Sequence, residues 1–270
     1  MIRVDVLLVE KGLVSSRNRA QELIASGRVF VLDPKSPTKK KTPVKKPSLQ
    51  LTGREEFEIE PDAETLDYVS RGGLKMRGAL SKVGLNVQDF KVLDIGISTG
   101  GFTDCVLQAG AKAVVGVDVG HDQLAAKLKR DPRVQLVEGV NARDLSGTPL
   151  IQMNGGAKFD LIVADVSFIS LTLVLPEMIT YLKESGSILA LVKPQFEVGR
   201  ENLGKNGIVK DASLYPTVET KIRRSCEAVG ILVEDYFESS IEGFDGNKEF
   251  FVFAKCPVLT LDLFGGSHAR

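Results

Sequence analysis

The chain has 270 residues, of which 43% are hydrophobic and 26% are charged, a composition typical of a globular protein with a sizeable core. No apolar run approaches the roughly 18 residues that a membrane-spanning helix needs, and the first residues lack the pattern of a signal peptide. Three scattered cysteines favour a reducing compartment and no metal site, so we expect a cytoplasmic protein.

The net charge of zero conceals an asymmetry along the chain. Residues 1–48 hold 11 Lys and Arg against 4 Asp and Glu, a net charge of +7, so residues 49–270 carry −7. A basic segment on an acidic body is typical of proteins that bind a polyanion, but such a segment is as often only a solvated surface. Charge alone therefore leaves nucleic-acid binding open.

The first part of the chain has the pattern of a small unit with two helices and a few strands. Two short helices are predicted, and Ser15 or Ser16 can cap the second. RVFVL and FEIE are typical of strands. Between them, DPKSPTKKKTPVKKPSL is too rich in proline and lysine to pack, so we expect a loop or an extended edge.

This unit resembles the S4-type RNA-binding domain, a small α+β module named for a ribosomal protein. The likeness is carried by Arg3, Asp5, Leu7, Leu8, Ser16, Arg17, Ala20, Leu23, Ile24, Gly27, Val29 and the distal VKKPS. Such domains usually have an Asn-Gly turn after the strand, whereas this chain has Asp33-Pro34 and a lysine-rich insertion. The alternative is a generic helical cap on a larger domain. We predict that RNA is bound by Arg3, Arg17, Arg19, Arg28, Lys39, Lys40, Lys41, Lys45 and Lys46.

From residue 85 onward, short β-rich runs alternate with helical spacing. The runs KVLDI, AVVGVDV, VQLVEGV, FDLIVADV and SILALV predict an α/β fold with a doubly wound, mostly parallel sheet. GILVEDYFESSI and KEFFVFAKC follow with no helical pattern between them, and they predict a terminal antiparallel hairpin. Such a seven-stranded sheet is the layout of class I methyltransferases. We therefore predict an RNA-binding domain at 1–60, a linker and catalytic lead-in at 61–84, and a methyltransferase domain at 85–270.

A glycine-rich turn, LDIGISTGG, follows the first strand of that sheet. Glycines there let a ligand approach the backbone, and the G-x-x-x-G-G spacing differs from the G-x-G-x-x-G of the runner-up, a dinucleotide-binding fold. The acid on the strand suits the cationic amine of a methionyl group and would repel a pyrophosphate. Acids and amides on the next two strand ends can take the ribose hydroxyls and flank the adenine. We predict that S-adenosylmethionine, with S-adenosylhomocysteine as product, is held by Asp94, Gly96, Ser98, Thr99, Gly100, Gly101, Asp118 and Asn141.

The residues after the fourth and fifth strands of the predicted sheet indicate which chemical group accepts the methyl. Enzymes that methylate base amines typically have Asn or Asp before Pro-Pro-aromatic, whereas Asp165 precedes VSF, and no cysteine is placed for carbon-5 attack on a pyrimidine. Lys193 ends the fifth strand in LVKPQFE and would lie beside Asp165. A ribose 2′-hydroxyl is a poor acid, and a lysine can deprotonate it if a second cation or desolvation lowers the pKa of that lysine. Lys75 is such a cation, and Glu249 supplies a second carboxylate.

The order YVSRGGLK, LDIGISTGGFTD, ADVSFISL, LVKPQFE, GKNGIV and GNKEFF resembles the hemolysin A (TlyA) family, whose catalytic domain is similar to the heat-shock ribosomal-RNA 2′-O-methyltransferases. The resemblance implies methylation of cytidine riboses in 16S or 23S ribosomal RNA, or in both, with ribosomal RNA or ribosomal subunits as partner and no metal. It also implies a catalytic tetrad of Lys75, Asp165, Lys193 and Glu249, with Lys193 as the base. The alternatives are a non-catalytic ribosome-assembly factor and, with least support, a membrane-active hemolysin.

Two aromatic residues, Phe168 and Phe196, flank the ends of the fourth and fifth strands. An aromatic side chain at such a place can stack on an unpaired nucleotide. It can equally cover the core, and the sequence leaves both interpretations open.

Overall fold

The structure of this chain is a computed structural model. It describes residues 1–14, 17–33, 40–60, 68–243 and 246–257, with the backbone alone at 18, 19, 22 and 206. Contacts divide the chain into two compact units, Met1–Ser70 and Arg71–Arg270. The segment predicted as a linker and lead-in contains helix Arg71–Val83, which belongs to the second unit.

The first unit combines two helices with two small antiparallel sheets. Its elements are β1 (Ile2–Arg3), α1 (Val4–Glu10), α2 (Arg17–Ala25), β2 (Val29–Leu32), β3 (Lys41–Pro43), β4 (Gln50–Leu51) and β5 (Glu56–Ile59). Strand β1 pairs with β4, and β2 lies between β3 and β5. The predicted helices and strands are confirmed, and part of the lysine-rich segment forms the edge strand β3. The predicted caps Ser15 and Ser16 lie outside the described residues.

Apolar residues at helical spacing build the core of this unit. Ala20, Leu23 and Ile24 share one face of α2 and are buried against α1 and β2. The buried residues of this core are Val4, Leu8, Ala20, Leu23, Ile24, Val29 and Val44.

The second unit is an α/β fold around one seven-stranded sheet. Its elements are α3 (Arg71–Val83), β6 (Lys91–Ile95), α4 (Gly101–Gln108), β7 (Ala113–Asp118), α5 (Ala126–Lys129), β8 (Val134–Glu138), α6 (Leu150–Met153), β9 (Phe159–Ala164), α7 (Leu175–Tyr181), β10 (Leu182–Val192), α8 (Tyr215–Ala228), β11 (Leu232–Glu238) and β12 (Phe250–Lys255). The strand order is β11-β12-β10-β9-β6-β7-β8. Strand β12 is antiparallel to both of its neighbours, and the other pairs are parallel. The predicted fold class and terminal hairpin are confirmed.

The central strands are almost continuously apolar because helices cover both faces of the sheet. The runs 161–164 and 188–192 are fully or almost fully buried, and every second residue in them shares one core cluster with residues of α7 and α8. All three cysteines are free thiols, and Cys105 and Cys226 are buried. Within the described ranges, the helices are too short or too polar to span a bilayer.

The sheet order brings functional residues to one edge. After β8, the chain crosses back over β6 to form β9, so a crevice opens at the carboxyl end of β6 between diverging connections. Residues at the ends of β6, β7, β9 and β10 therefore share that edge. Because β12 is antiparallel and Phe250 pairs with Val192, the residue that precedes β12 lies there as well.

Candidate active site

The turn between β6 and α4 depends on left-handed backbone. Gly96 and Gly100 have φ of 82° and 92°, and Ser98 has φ of 46° although it carries a Cβ. A Cβ at Gly96 would lie 2.8 Å from the carbonyl oxygen of Asp165, so glycine permits the close approach of the residues after β9. Gly101 begins α4, and the turn thus places the start of this helix beside the end of β6.

Asp94 is a fully buried carboxyl with spare hydrogen-bonding capacity. Its Oδ2 accepts a hydrogen bond of 2.6 Å from Thr103 Oγ1, whereas Oδ1 is buried without a hydrogen-bond partner. Burial raises the pKa of Asp94 to about 7; the bond from Thr103 opposes this, and the charges of Asp165 and Asp118 add to it. A group in this state favours a cationic or hydrogen-bond-donating partner.

Asp118 ends β7 and is oriented by the backbone. Its Oδ2 accepts from the N–H of Ser98 at 2.8 Å, and its Oδ1 accepts from the N–H of Gly120 at 2.7 Å. Each carboxylate oxygen keeps a lone pair for a further donor. Thr99 is buried in the turn, and Asn141 is exposed beyond β8 with its Oδ1 bonded to the N–H of Arg143 at 3.0 Å.

The four residues of the predicted tetrad lie together at the same sheet edge. Lys193 Nζ is 2.6 Å from Asp165 Oδ1 and donates to Ser167 Oγ at 2.8 Å. Lys75, on α3, forms an ion pair with Glu249. Burial alone would raise the pKa of Asp165, but the charges of Lys193 and Lys75 outweigh it and hold this pKa below its ordinary value. Two largely buried cations therefore act on one carboxylate.

Comparison with known proteins agrees with this geometry. Residues 68–256, which include the whole tetrad, match the family of FtsJ-like methyltransferases, and residues 2–31 match the S4 domain. The chain belongs to the FtsJ-like methyltransferase family. Membership confirms the predicted resemblance, and the two matches fall in the second and first units respectively.

Relatives of this FtsJ-like chain extend over nearly all of it. "Putative rRNA methyltransferase YqxC" from Bacillus subtilis is 42% identical over 255 residues, which cover 94% of this chain and 86% of that protein. "16S/23S rRNA (cytidine-2'-O)-methyltransferase TlyA" from Mycobacterium tuberculosis is 38% identical over 253 residues, which cover 94% and 89%. The solved structure "Putative hemolysin from Streptococcus thermophilus" aligns with a TM-score of 0.71 and 38% identity, covering 94% and 88%.

The aromatic pair of the FtsJ-like unit lies directly beside the tetrad. Phe168 is 92% exposed and has a left-handed φ of 64°, and its ring centroid is 5.5 Å from that of Phe196. The exposure excludes a role for Phe168 as a lid on the core. An exposed aromatic at a strained backbone position is unusual, because both properties are unfavourable in the isolated protein.

Sequence reasoning missed two residues that hold this site together. Ser167 accepts the hydrogen bond from Lys193, and Glu197 is a buried carboxylate that joins three segments of the FtsJ-like unit. Both lie inside motifs that carried the family resemblance, ADVSFISL and LVKPQFE. The motif gave a signal that they matter, but their partners are distant in sequence and could not be deduced.

The predicted RNA-binding residues of the first unit differ in their surroundings. Arg3 and Arg17 both bond to the buried carboxylate of Asp5, at 2.9 and 3.3 Å. Lys41 forms an ion pair with Glu58, which neutralises part of its charge. The side chain of Arg19 and all of Lys39 lie outside the described residues, whereas the remaining four are exposed or half-buried: Arg28, Lys40, Lys45 and Lys46. In the described part of the chain, His, Cys, Asp and Glu form no group of three that could hold a metal ion.

Proposed function

We propose that this protein transfers a methyl group from S-adenosylmethionine to a ribose 2′-hydroxyl, that of cytidine, in 16S or 23S ribosomal RNA or in both. The observation that carries the proposal is the cluster of Lys75, Asp165, Lys193 and Glu249 next to the buried carboxyl of Asp94. The names of the relatives support the substrate, because one is called a ribosomal-RNA methyltransferase and another a cytidine-2′-O-methyltransferase.

The residues at the ends of β6, β7 and β8 fit S-adenosylmethionine. The unpartnered Oδ1 of Asp94 suits the cationic amine of the methionyl part, and the oriented carboxylate of Asp118 suits two ribose hydroxyls. Asn141 would flank the adenine, and the turn 96–101 would approach the ligand with its backbone. When bound, S-adenosylmethionine supplies an electrophilic methyl group on a sulfonium.

Lys193 would act as the base toward the 2′-hydroxyl. The Nζ of Lys193 would accept the proton of the hydroxyl as the ribose oxygen takes the methyl group; S-adenosylmethionine would supply that methyl group and leave as S-adenosylhomocysteine. Lys193 must lose its own proton before it can act as the base. The nearby cation Lys75 favours this loss, whereas the contact with Asp165 opposes it. Asp165 and Glu249 would orient the two lysines, since each contacts one of them.

The first unit would contribute affinity for RNA. Its exposed lysines and arginines suit phosphates, and the S4 match supports this role. We propose an RNA-binding domain at 1–60 and a methyltransferase domain at 85–270, which helix α3 of the 61–84 lead-in completes as part of the second unit. We also propose a cytoplasmic site of action on ribosomal RNA or ribosomal subunits. Phe168 would stack on the unpaired target nucleotide or its neighbour.

The test is methyl transfer by the purified protein. Ribosomal subunits from a strain that lacks the gene are incubated with S-adenosylmethionine labelled in its methyl group, and the modified nucleotide is mapped by resistance to alkaline cleavage. We expect label on a ribose with the wild-type protein and none with Lys193→Ala. RNA binding without any label would instead favour a non-catalytic assembly factor, and label on a base would refute the assignment of the acceptor.

A further inference from the structure

Glu197 is a carboxylate that folding has removed from water. Its side chain is 1% exposed, although an isolated carboxylate is costly to bury. It lies in the β10 loop (193–199), which begins at Lys193 immediately after β10. The neighbouring β9 loop (165–174) begins at Asp165 immediately after β9. The two residues of the tetrad that form the 2.6 Å ion pair are therefore the first residues of these two loops.

The carboxylate of Glu197 connects the β10 loop to the β9 loop and to helix α8. Its Oε1 accepts from the N–H of Leu171 at 2.7 Å, and its Oε2 accepts from Ser170 Oγ at 2.6 Å. Lys221, on α8, donates to the same Oε2 at 2.6 Å and to the carbonyl oxygen of Glu197 at 3.1 Å. One residue thus joins its own loop to two segments that lie 24 to 27 residues away from it in sequence.

Ser170 extends the connection into the β9 loop. Its side chain accepts from the N–H of Thr172 and caps the short 3-10 turn Leu171–Leu173. The β9 loop is therefore held at two points. At its start, the N–H of Asp165 donates to the carbonyl oxygen of Ile95 in the sheet at 3.0 Å, and further along, the N–H of Leu171 donates to Glu197. Phe168, with its strained backbone, lies between these two anchors.

This arrangement affects catalysis because proton transfer depends on position. Strands β9 and β10 pair up to Ala164 and Ala190; the β9 loop then leaves the sheet, and β10 continues beside β12 to Val192 before its own loop begins. A functional group has to be held within about 0.5 Å of its productive place, and a shift of about 1 Å can lower a rate roughly 100-fold. Contacts between the loops beyond the sheet are thus suited to fix the distance between Asp165 and Lys193.

We propose that Glu197 is a positioning residue for methyl transfer. It sets the geometry of Asp165, Lys193 and Phe168 by tying the β9 loop, the β10 loop and α8 together, and it does not touch the substrate. This inference rests on the proposed function. The ion pair joins the buried carboxylate of Glu197 to the half-exposed ammonium of Lys221, and such a pair contributes little net stability, so stability alone does not account for it.

The acceptor capacity of a carboxylate distinguishes Glu197 from its closest isostere. Glu197 accepts three hydrogen bonds at its two oxygens, from a hydroxyl, an amide and an ammonium. In Glu197→Gln, one oxygen becomes an NH2 group, which faces a donor and must break at least one of these contacts. Glu197→Asp keeps the charge but withdraws the carboxylate by one methylene, so it separates geometry from charge.

The experiment measures kcat, the KM for ribosomal RNA and the affinity for S-adenosylhomocysteine in the full-length protein. We expect Glu197→Gln to lower kcat at least tenfold, with KM and cofactor affinity within twofold of the wild type. Glu197→Asp should also lose kcat although its charge is kept. The matched control is Glu219→Gln on the same helix α8, where the carboxylate pairs along the helix with Arg223 at 2.8 Å, and it should stay within twofold.

Hydrogen exchange gives a second readout that does not depend on turnover. Peptides that cover 165–174 and 193–199 should exchange faster in both Glu197 variants than in the wild type or the control, because each variant loses at least one of the contacts that hold the two loops together. A normal kcat in folded Glu197→Gln, unchanged exchange in both loops, or equal losses of kcat and cofactor affinity would each overturn the inference. A wild-type protein without turnover would overturn the proposed function, and exchange would still decide whether Glu197 ties the loops.

Discussion

Replacing Asp94 by Asn should strengthen the fold while it weakens cofactor binding. The carboxyl is fully buried, and burial raises its pKa from 3.8 to about 7. Because the pKa is higher in the folded than in the unfolded state, the folded protein binds the proton more tightly between pH 4 and 7. The carboxyl therefore costs no stability below about pH 4, costs increasingly more as the pH rises to 7, and costs the full amount above it.

The magnitude follows from that difference. At 1.36 kcal/mol per pKa unit, ionised Asp94 lowers the free energy of unfolding by on the order of 4 kcal/mol at pH 8. Asn keeps the acceptor for Thr103 but places an amide where Oδ1 has no partner, and an unsatisfied polar group costs about 1–3 kcal/mol. We expect a net gain of about 1–3 kcal/mol for Asp94→Asn at pH 8 and a net loss at pH 4.

Urea unfolding of the cofactor-free protein at pH 4 and 8 measures this gain, and calorimetry with S-adenosylhomocysteine measures binding. Wild-type affinity should fall as the pH drops below 7, because protonation removes the charge that attracts the amine, whereas the affinity of Asp94→Asn should be low and independent of pH from 6 to 8. Glu234→Gln, which alters a half-exposed acid, serves as the control and should change stability by less than about 0.5 kcal/mol. A destabilised Asp94→Asn at pH 8 that binds the cofactor normally would refute the reasoning.

The other predictions concern binding and turnover. Asp118→Ala should weaken S-adenosylhomocysteine binding by about 1.5–3 kcal/mol in calorimetry, since it removes hydrogen bonds to a charged group; unchanged affinity would place the ribose elsewhere. Lys193→Ala and Lys193→Arg should both lose turnover in the methyl-transfer assay without loss of cofactor affinity, because a guanidinium does not accept the proton; an active arginine variant would exclude base catalysis. Exchanging the exposed Lys45 and Lys46 for Ala should weaken RNA binding, with kcat unchanged at saturation. The slope of log binding constant against log salt concentration should become less steep by up to about one for each lysine removed. Phe168→Ala should lower kcat/KM for RNA by a factor that corresponds to about 1–3 kcal/mol, the usual contribution of stacking on a base. Phe168→Tyr should keep the wild-type kcat/KM, because it keeps the aromatic ring.

The fold and the sheet edge could be predicted because they depend on local patterns. Short apolar runs that alternate with helical segments define the strands, and parallel strands necessarily place their carboxyl ends together. Asp165 and Lys193 each follow such a strand, so their proximity followed from the topology. Lys75 and Glu249 were chosen for their charge and became members of a tetrad only through the family resemblance, since neither a helix position nor the start of an antiparallel strand fixes a distance.

Contacts between loops could not be predicted in this way. Glu197 meets Ser170 and Lys221 only after the β9 and β10 loops and α8 have packed, and no periodicity encodes that meeting. The same holds for Lys41, which the charge pattern assigned to RNA but which the antiparallel pairing of β2 with β3 and β5 brings to Glu58. Registers can be read from turns and hydrophobic faces, whereas the end of a long side chain finds its partner through three-dimensional packing.

The buried carboxylate of Asp5 has a consequence for how the first unit meets a ligand. Burial alone would raise the pKa of Asp5, but hydrogen bonds from Arg3, Gln21 and Arg17 lower it to about 2, so the carboxylate stays ionised at any physiological pH. Free arginines lose about 0.5–1.5 kcal/mol of rotamer entropy each when a ligand immobilises them. Arg3 and Arg17 already share Asp5 as a hydrogen-bond partner, so an anion docking on them would meet a partly ordered surface. The carboxylate of Asp5 also cancels one of the two positive charges of Arg3 and Arg17. When these arginines bind a nucleic acid, they would therefore displace counterions from it as a single cation does.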